Sequence, residues 1–299
     1  MTLRNELTYL GRHFTPSWRY LFNFESAIAY YRNQHQLNVE AATVVADLNL
    51  SGIAVRSIEH LLGGHSLFLE LSKTAEGLLK LHRDQIAQAR DEADCYSVGH
   101  KSYLIPLLGE KPLLDLASIY ARFSLHPEIL AIANAYFQMY TQLRYYNIWH
   151  TVSTKAPARE SQLWHFDRED HFILKIFLYL SDIDEGAGPF TYAPGTHIKR
   201  RQGFRLPDAF IENGIARWND EQMEAEIPVE QWIRVIGPPG TIIFADTRGY
   251  HKGGLARSRD RTLFTCLFTS PASQAPELFD RSRMIQRPTS MAQARALAL

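Results

Sequence analysis

The stretch LWHFDREDHFILKIFLYLSDIDEGAGPFTYAPGTH, residues 163–197, decides how the chain reads. A polar run carrying His165, Asp167, Arg168, Glu169, Asp170 and His171 meets an apolar run, and a turn with Asp182, Asp184 and Glu185 follows. Residues two apart on a strand point to the same side. If LWHFD closes a strand, the His165 imidazole and the Asp167 carboxylate converge on one point. The same parity in LKIFLYL puts Lys175, Phe177 and Tyr179 on one face. An H-x-D triplet alone is more often a surface ion pair or an unrelated loop, so its weight depends on the rest of the chain.

From about Tyr145 the texture is one of short strands punctuated by Gly and Pro: YYNIWHTV, LKIFLYLSD, GPFTYAPG, QWIRVIGPPG, TIIFADT and RTLFTCLFTS. Alternation broken by turn signals indicates an antiparallel sandwich or small barrel, not a βαβ array. The earlier part reads as mostly helical. LSGIAVRSIEHLLGG gives a short strand at Ile53 to Val55 and then a helical turn stopped by Gly63 and Gly64. The run from Ser66, with Ser66 as N-cap, repeats Leu67, Leu71, Leu78, Leu79 and Ile86 at near-helical spacing. PEILAIANAYFQMYTQL opens with Pro127, which suits a first helical turn. No repeat or low-complexity linker divides the chain, so a single domain over 1–299 is expected. Its parts are a mostly helical 1–144, a β core over 145–270 and a tail, 271–299, that is loose or ends in a helix.

Composition narrows the function classes. Hydrophobic residues at 45% and aromatics at 12% furnish a core, while 32 basic and 32 acidic residues cancel, so nothing points to nucleic acid or an anionic membrane. MTLRNELTYLGRHF lacks the apolar segment of a secretory signal, and no run approaches the ~20 apolar residues of a membrane span. A soluble cytoplasmic protein is expected. Cys95 and Cys266 are far apart and outside any paired-cysteine motif, so a bound metal here uses His and carboxylate.

The second half of the pattern lies in GPPGTIIFADTRGYHKGGLARSRDRTLFTCLF: a turn, a strand, His251 at its exit, a Gly-rich reversal, and Arg261 opening another strand. Two imidazoles and one carboxylate on one face of a metal leave three positions open, the facial arrangement of non-heme Fe(II) oxygenases. A dicarboxylic keto acid chelates through its 2-oxo and C1 carboxylate groups and leaves a place for O2. Its far carboxylate needs a fixed cation, and a guanidinium pairs with it bidentately.

With WHFD, LYLSDIDEGAGPFTYAPGTH, GTIIFADTRGYHKGG and Arg261 assembled, residues 145–270 resemble the phytanoyl-CoA dioxygenase family of Fe(II)/2-oxoglutarate oxygenases. GIAVRSIEHLL resembles that family's N-terminal segment. The resemblance implies a mainly β fold with helical additions: a double-stranded β-helix, the jelly-roll or cupin-like core, buttressed by N-terminal helices. It implies iron ligation by His165, Asp167 and His251, and a 2-oxoglutarate salt bridge from Arg261, preferred over Arg257 and Arg259 in the same loop. Phe177 falls where the family often has a ring beside the co-substrate; Asn147 and Tyr179 are further candidates. The cofactor set is then Fe(II), 2-oxoglutarate and O2, and the activity is hydroxylation of an unactivated C–H with release of succinate and CO2. Because Asp167 is present, hydroxylation is favoured over halogenation, where a small residue leaves room for halide. Desaturation, epimerisation and ring closure remain open. Family members act on acyl-thioesters, amino acids and natural-product scaffolds, so the substrate does not follow.

Other residues in the opening stretch read as structural. Arg168, Glu169 and Asp170 suit a solvated loop, Asp182, Asp184 and Glu185 suit turn geometry, and His171 and His197 are spare histidines. The basic cluster Lys199, Arg200, Arg201 and Arg205, in an insert over 198–231, reads as solvated surface ahead of an anion site. Two other functions fit the motif less fully: a cupin-like metal-dependent isomerase or lyase without a keto acid, and a non-catalytic jelly roll that keeps a ligand pocket.

Overall fold

The computed structural model describes residues 14–33, 36–94, 101–199, 206, 208–212, 214–282, 284 and 286–299. The strands are β1 (Ile53–Ser57), β2 (Leu104–Pro106), β3 (Gln142–Thr151), β4 (Leu174–Tyr179), β5 (Phe190–Tyr192), β6 (Phe210–Glu212), β7 (Ile215–Arg217), β8 (Ile233–Val235), β9 (Thr241–Asp246), β10 (His251–Lys252) and β11 (Arg261–Thr269). Six of them form an antiparallel sheet in the order β1-β9-β4-β11-β3-β2. A smaller sheet runs β10-β5-β8, and β6 with β7 makes a separate hairpin.

Side-chain parity divides the large sheet between two cores. Leu174, Ile176 and Leu178 of β4, with Phe264, Cys266 and Phe268 of β11, face the helices and pack with Leu48, Phe123, Ile129 and Ile132. Phe177, Tyr179, Ile243, Ala245 and Leu263 face the other way and pack with Phe190, Tyr192 and Val235 of the small sheet. β11, at the middle of the large sheet, is buried along its whole length. A strand covered on both sides carries apolar residues of both parities, as RTLFTCLFT does with Leu263 and Leu267 on one face and Phe264, Cys266 and Phe268 on the other.

The helices that cover the first face are set by local chemistry. Asn38 caps Val39–Ser51 by accepting from Ala41 N at 2.7 Å, and Gly52 ends it with φ +84°, a conformation glycine adopts without penalty. Pro127 starts Pro127–Phe137 in its first turn.

The sequence reading is corrected in several places. Helices hold more of the described residues than strands do, so the chain is a mixture of helix and antiparallel sheet, not mainly β. β1 is the short strand expected at Ile53 to Val55, extended to Ser57, whereas β2 comes from the part read as helical; together they complete both edges of the large sheet, and β3 begins at Gln142, ahead of Tyr145. Ser66 is the first helical residue, with His65 at the cap, and the helix breaks at His82 into Ser66–Leu81 and Arg83–Ala93. The C-terminal part is docked: Leu114 N donates to Asp280 O and Leu278 N to Arg144 O, and Met291–Ala296 is a short helix. Arg200, Arg201, Arg205 and Cys95 lie outside the described residues. No helix among the described residues is long and apolar enough to cross a membrane.

Candidate metal centre

LWHFD alternates as its spacing predicts. Trp164 and Phe166 turn into an aromatic cluster with Trp218, Trp232 and Tyr250, with Trp164 and Trp232 ring centroids 4.9 Å apart. His165 and Asp167 therefore emerge on the opposite side. His165 and His251 face each other across an antiparallel bridge, exchanging backbone hydrogen bonds of 3.0 and 2.9 Å. Direct opposition of this kind brings two side chains together, and their ring centroids are 4.3 Å apart. Asp167 is clamped at both backbone groups: its N donates to Thr247 O at 2.8 Å and its O accepts from Arg248 Nη1 at 2.7 Å. Ligand atoms of His165, Asp167 and His251 all lie within 4.8 Å of one another.

The protonation chemistry suits a cation. His165 Nδ1 lies 2.8 Å from Leu163 O and His251 Nδ1 lies 3.0 Å from Gly249 O. A carbonyl only accepts, so each Nδ1 carries the hydrogen and each Nε2 keeps its lone pair, the form in which imidazole ligates metal. Burial pushes His251 down to about 4, and burial together with the neighbouring His251 pushes His165 well below its ordinary value. Burial alone would raise Asp167, but Lys175 and the two imidazoles hold it well below the usual carboxylate range. Two neutral imidazoles and a carboxylate are the donors a divalent metal needs, and the three residues fit one.

The centre opens into a cleft of about 820 Å³, counting its mouth. Lys175 and Phe177 of β4, Trp149 and Thr151 of β3, and Phe190 of β5 line it, as does Arg261. Arg261 is 6% exposed, and its Nη1 donates to Gly188 O and Gly253 O. No carboxylate among the described residues pairs with it, and its Nε has no partner. Burial pushes its pKa down while the Tyr179 and Tyr103 hydroxyls oppose the shift. Gly188 makes this seat: at φ +70°, a Cβ there would meet Ala256 N at 2.5 Å.

The other arginines of the loop are engaged elsewhere. Arg259 Nη1 pairs with Asp184 at 2.7 Å, and Arg257 Nη1 donates to Ala156 O at 2.8 Å. Asn147 is not among the lining residues; its amide holds the loop after β2, accepting from Leu108 N and donating to Gly109 O. Tyr179 also lies outside the lining, and its hydroxyl donates to Val235 O at 2.7 Å, joining the two sheets.

The structure also places the remaining polar residues of this region. Asp170 is a buried hub, not a solvated residue: it accepts from Trp18 Nε1 at 2.8 Å, His171 N at 2.7 Å and Ser270 N at 2.6 Å. His171 is structural, 2.8 Å from Thr15 Oγ1 and against the Phe172 ring. His197 is fully buried beneath Gly52. Lys199 is anchored on Asn49 Oδ1 and Tyr136 O. Lys101, Tyr103, Trp149 and Thr151 line the cleft without having been singled out; strand parity in YYNIWHT signals the last two.

No family model matches the sequence, and no curated protein matches it. Solved structures do. AviO1 from Streptomyces viridochromogenes Tue57 is 19% identical over 81% of this chain and 100% of its own, with a TM-score of 0.51. EctD from S. alaskensis with 2-oxoglutarate and 5-hydroxyectoine is 17% identical over 85% of each chain, TM-score 0.53. The same protein with bound Fe is 15% identical over 85% of each chain, TM-score 0.52. The chain shares their fold.

Proposed function

We propose that the chain is an Fe(II)/2-oxoglutarate-dependent dioxygenase that hydroxylates an unactivated C–H of a small molecule. In this reading the two facing sheets are the double-stranded β-helix of the phytanoyl-CoA dioxygenase family. The observation that carries it is Arg261: a buried guanidinium, without a carboxylate partner among the described residues, in the same cleft as two imidazoles and a carboxylate. A buried cation left unpaired is unfavourable by several kcal/mol, so the cleft is built to receive an anion. A cupin-like lyase or isomerase working without a keto acid would need this guanidinium only for an anionic substrate of its own.

His165, Asp167 and His251 would hold the iron. Arg261 would take the far carboxylate of 2-oxoglutarate, assisted by the Thr151 hydroxyl, which is buried and without a partner on the residue paired with Arg261 across β3 and β11. Phe177 and Phe190, with ring centroids 4.8 Å apart, would wall the co-substrate from water. Iron with 2-oxoglutarate and O2 supplies the oxidising power, releasing succinate and CO2. The chain supplies orientation: the Nδ1 anchors at Leu163 O and Gly249 O keep the imidazoles aimed, and the aromatic walls exclude solvent. With Asp167 as the carboxylate ligand, no place would be left for a halide, which favours hydroxylation over halogenation. The fold shared with EctD, crystallised with Fe and with 2-oxoglutarate, supports the cofactor assignment.

The test is succinate release from 2-oxoglutarate by the iron-loaded chain in air, with and without a panel of small molecules. The reading expects slow release alone, faster release with a substrate that gains an oxygen atom, and none from His251→Ala. Tight iron binding with no succinate above the variant would overturn it.

A further inference from the structure

The middle of a sheet covered on both faces is an unfavourable place for a lysine. β4 lies between β9 and β11, and the residues beside Lys175 across the sheet are Ala245 and Leu267. The other residues of β4 are aliphatic or aromatic. Packing alone would choose an apolar side chain there, since an ammonium taken out of water costs several kcal/mol unless it is paired. Lys175 Nζ is paired: it lies 2.6 Å from Asp167 Oδ2, with the two side chains 18% and 11% exposed.

We propose that Lys175 is a positioning residue for the metal centre, holding one oxygen of Asp167 so that the carboxylate presents its other oxygen to the metal. This rests on the reading of His165, Asp167 and His251 as ligands. Each imidazole is aimed by a partner behind it, Leu163 O for His165 and Gly249 O for His251. Asp167 has its backbone fixed by Thr247 and Arg248, which leaves its side-chain torsions free. Among the described residues, Lys175 is the cation paired with that carboxylate. It also lines the cleft, so its contact with Asp167 is made from the metal's side of the sheet. Partners of this kind typically contribute 10- to 100-fold to metal affinity.

The experiment is anaerobic titration of the full chain with Fe(II), and with Mn(II) followed by electron paramagnetic resonance, for the unmutated protein, Lys175→Met, Lys175→Arg, Asp167→Asn and the Asp167→Asn/Lys175→Met double variant. Circular dichroism confirms that each variant is folded. The expected result is a 10- to 100-fold weaker Kd for Lys175→Met, substantial recovery in Lys175→Arg, and no further loss when Lys175→Met is added to Asp167→Asn. Non-additivity separates positioning through Asp167 from general loosening of the sheet, which would weaken both backgrounds equally. If Lys175→Met binds metal as tightly as the unmutated chain, or more tightly, while Asp167→Asn does not, the proposal is overturned and the metal site stands. If the unmutated chain binds no metal, the site reading falls and the proposal with it.

Discussion

Replacing Tyr136 by Phe removes one oxygen atom from the junction between the helical layer and the metal end of the large sheet. Tyr136, on the helix Pro127–Phe137, donates its hydroxyl to Asp246 Oδ2 at 2.5 Å, and both residues are 0% exposed. Asp246 ends β9 and also accepts from Arg248 N at 3.1 Å, the residue whose guanidinium holds the Asp167 carbonyl. A hydrogen bond to a charged group contributes about 1.5–3 kcal/mol, and its loss leaves a buried oxygen without that donor. Unfolding entropy of about 2.1 cal/mol/K per residue over 299 residues gives about 0.6 kcal/mol/K, so Tm should fall by roughly 2.5–5 °C. The sign of the pH dependence follows from Asp246, whose pKa burial raises and whose Tyr136 bond lowers it. Without the hydroxyl that pKa rises further, so the variant's deficit is largest where the carboxylate is ionised and shrinks as pH falls and both forms protonate. Thermal melts of metal-free protein at pH 5 and pH 8, followed by circular dichroism, check this. A Tm change below about 1 °C at pH 8, or a larger deficit at pH 5 than at pH 8, would refute the reasoning.

Three further outcomes are expected. Arg261→Met should weaken 2-oxoglutarate binding by about 30- to 5000-fold, the cost of removing one partner of a buried charge pair, with Fe(II) affinity within about threefold; anaerobic calorimetry separates the two. The metal-free chain should lose stability as pH falls from about 6.5 to 4, because the unfolded chain takes up protons that the folded His251, depressed to about 4, does not. That window corresponds to about 3 kcal/mol from His251 alone, and urea titrations of His251→Gln should show a correspondingly flatter profile. Phe264→Ala, which empties a site against Phe123 with ring centroids 5.1 Å apart, should cost about 3–5 kcal/mol, or roughly 5–8 °C in Tm.

How much of the structure is legible in the sequence differs from residue to residue. The strand parity of WHFD and LKIFLYL survives in the fold, because a side-chain period of two is a local property of the backbone. The placement of Arg261 against Arg257 and Arg259 followed from the family resemblance, and the structure adds the reason: Arg259 meets Asp184, and Arg257 meets backbone carbonyls. What stayed hidden is long-range. Nothing near Asp170 in the chain announces that Trp18 and Ser270 close around it, and Asn147 shares its parity with Trp149 yet is engaged by the loop at Leu108 and Gly109. The helices Val39–Ser51, Ser66–Leu81 and Pro127–Phe137 lie in the part that reads as mostly helical, and it is the family resemblance that implies a mainly β chain. Lys175 was visible as a position on the right face, but not as the partner of Asp167, since that pairing needs the register of β4 against a loop.

The central claim is that His165, Asp167, His251 and Arg261 form one centre for iron and a dicarboxylic keto acid. It is tested most directly by adding Fe(II) and then 2-oxoglutarate to the chain without oxygen and recording the visible spectrum. The account predicts a weak metal-to-ligand charge-transfer band in the unmutated protein, absent in His251→Ala and restored in Arg261→Met only at far higher 2-oxoglutarate. Bound iron with no such band at saturating 2-oxoglutarate would contradict it.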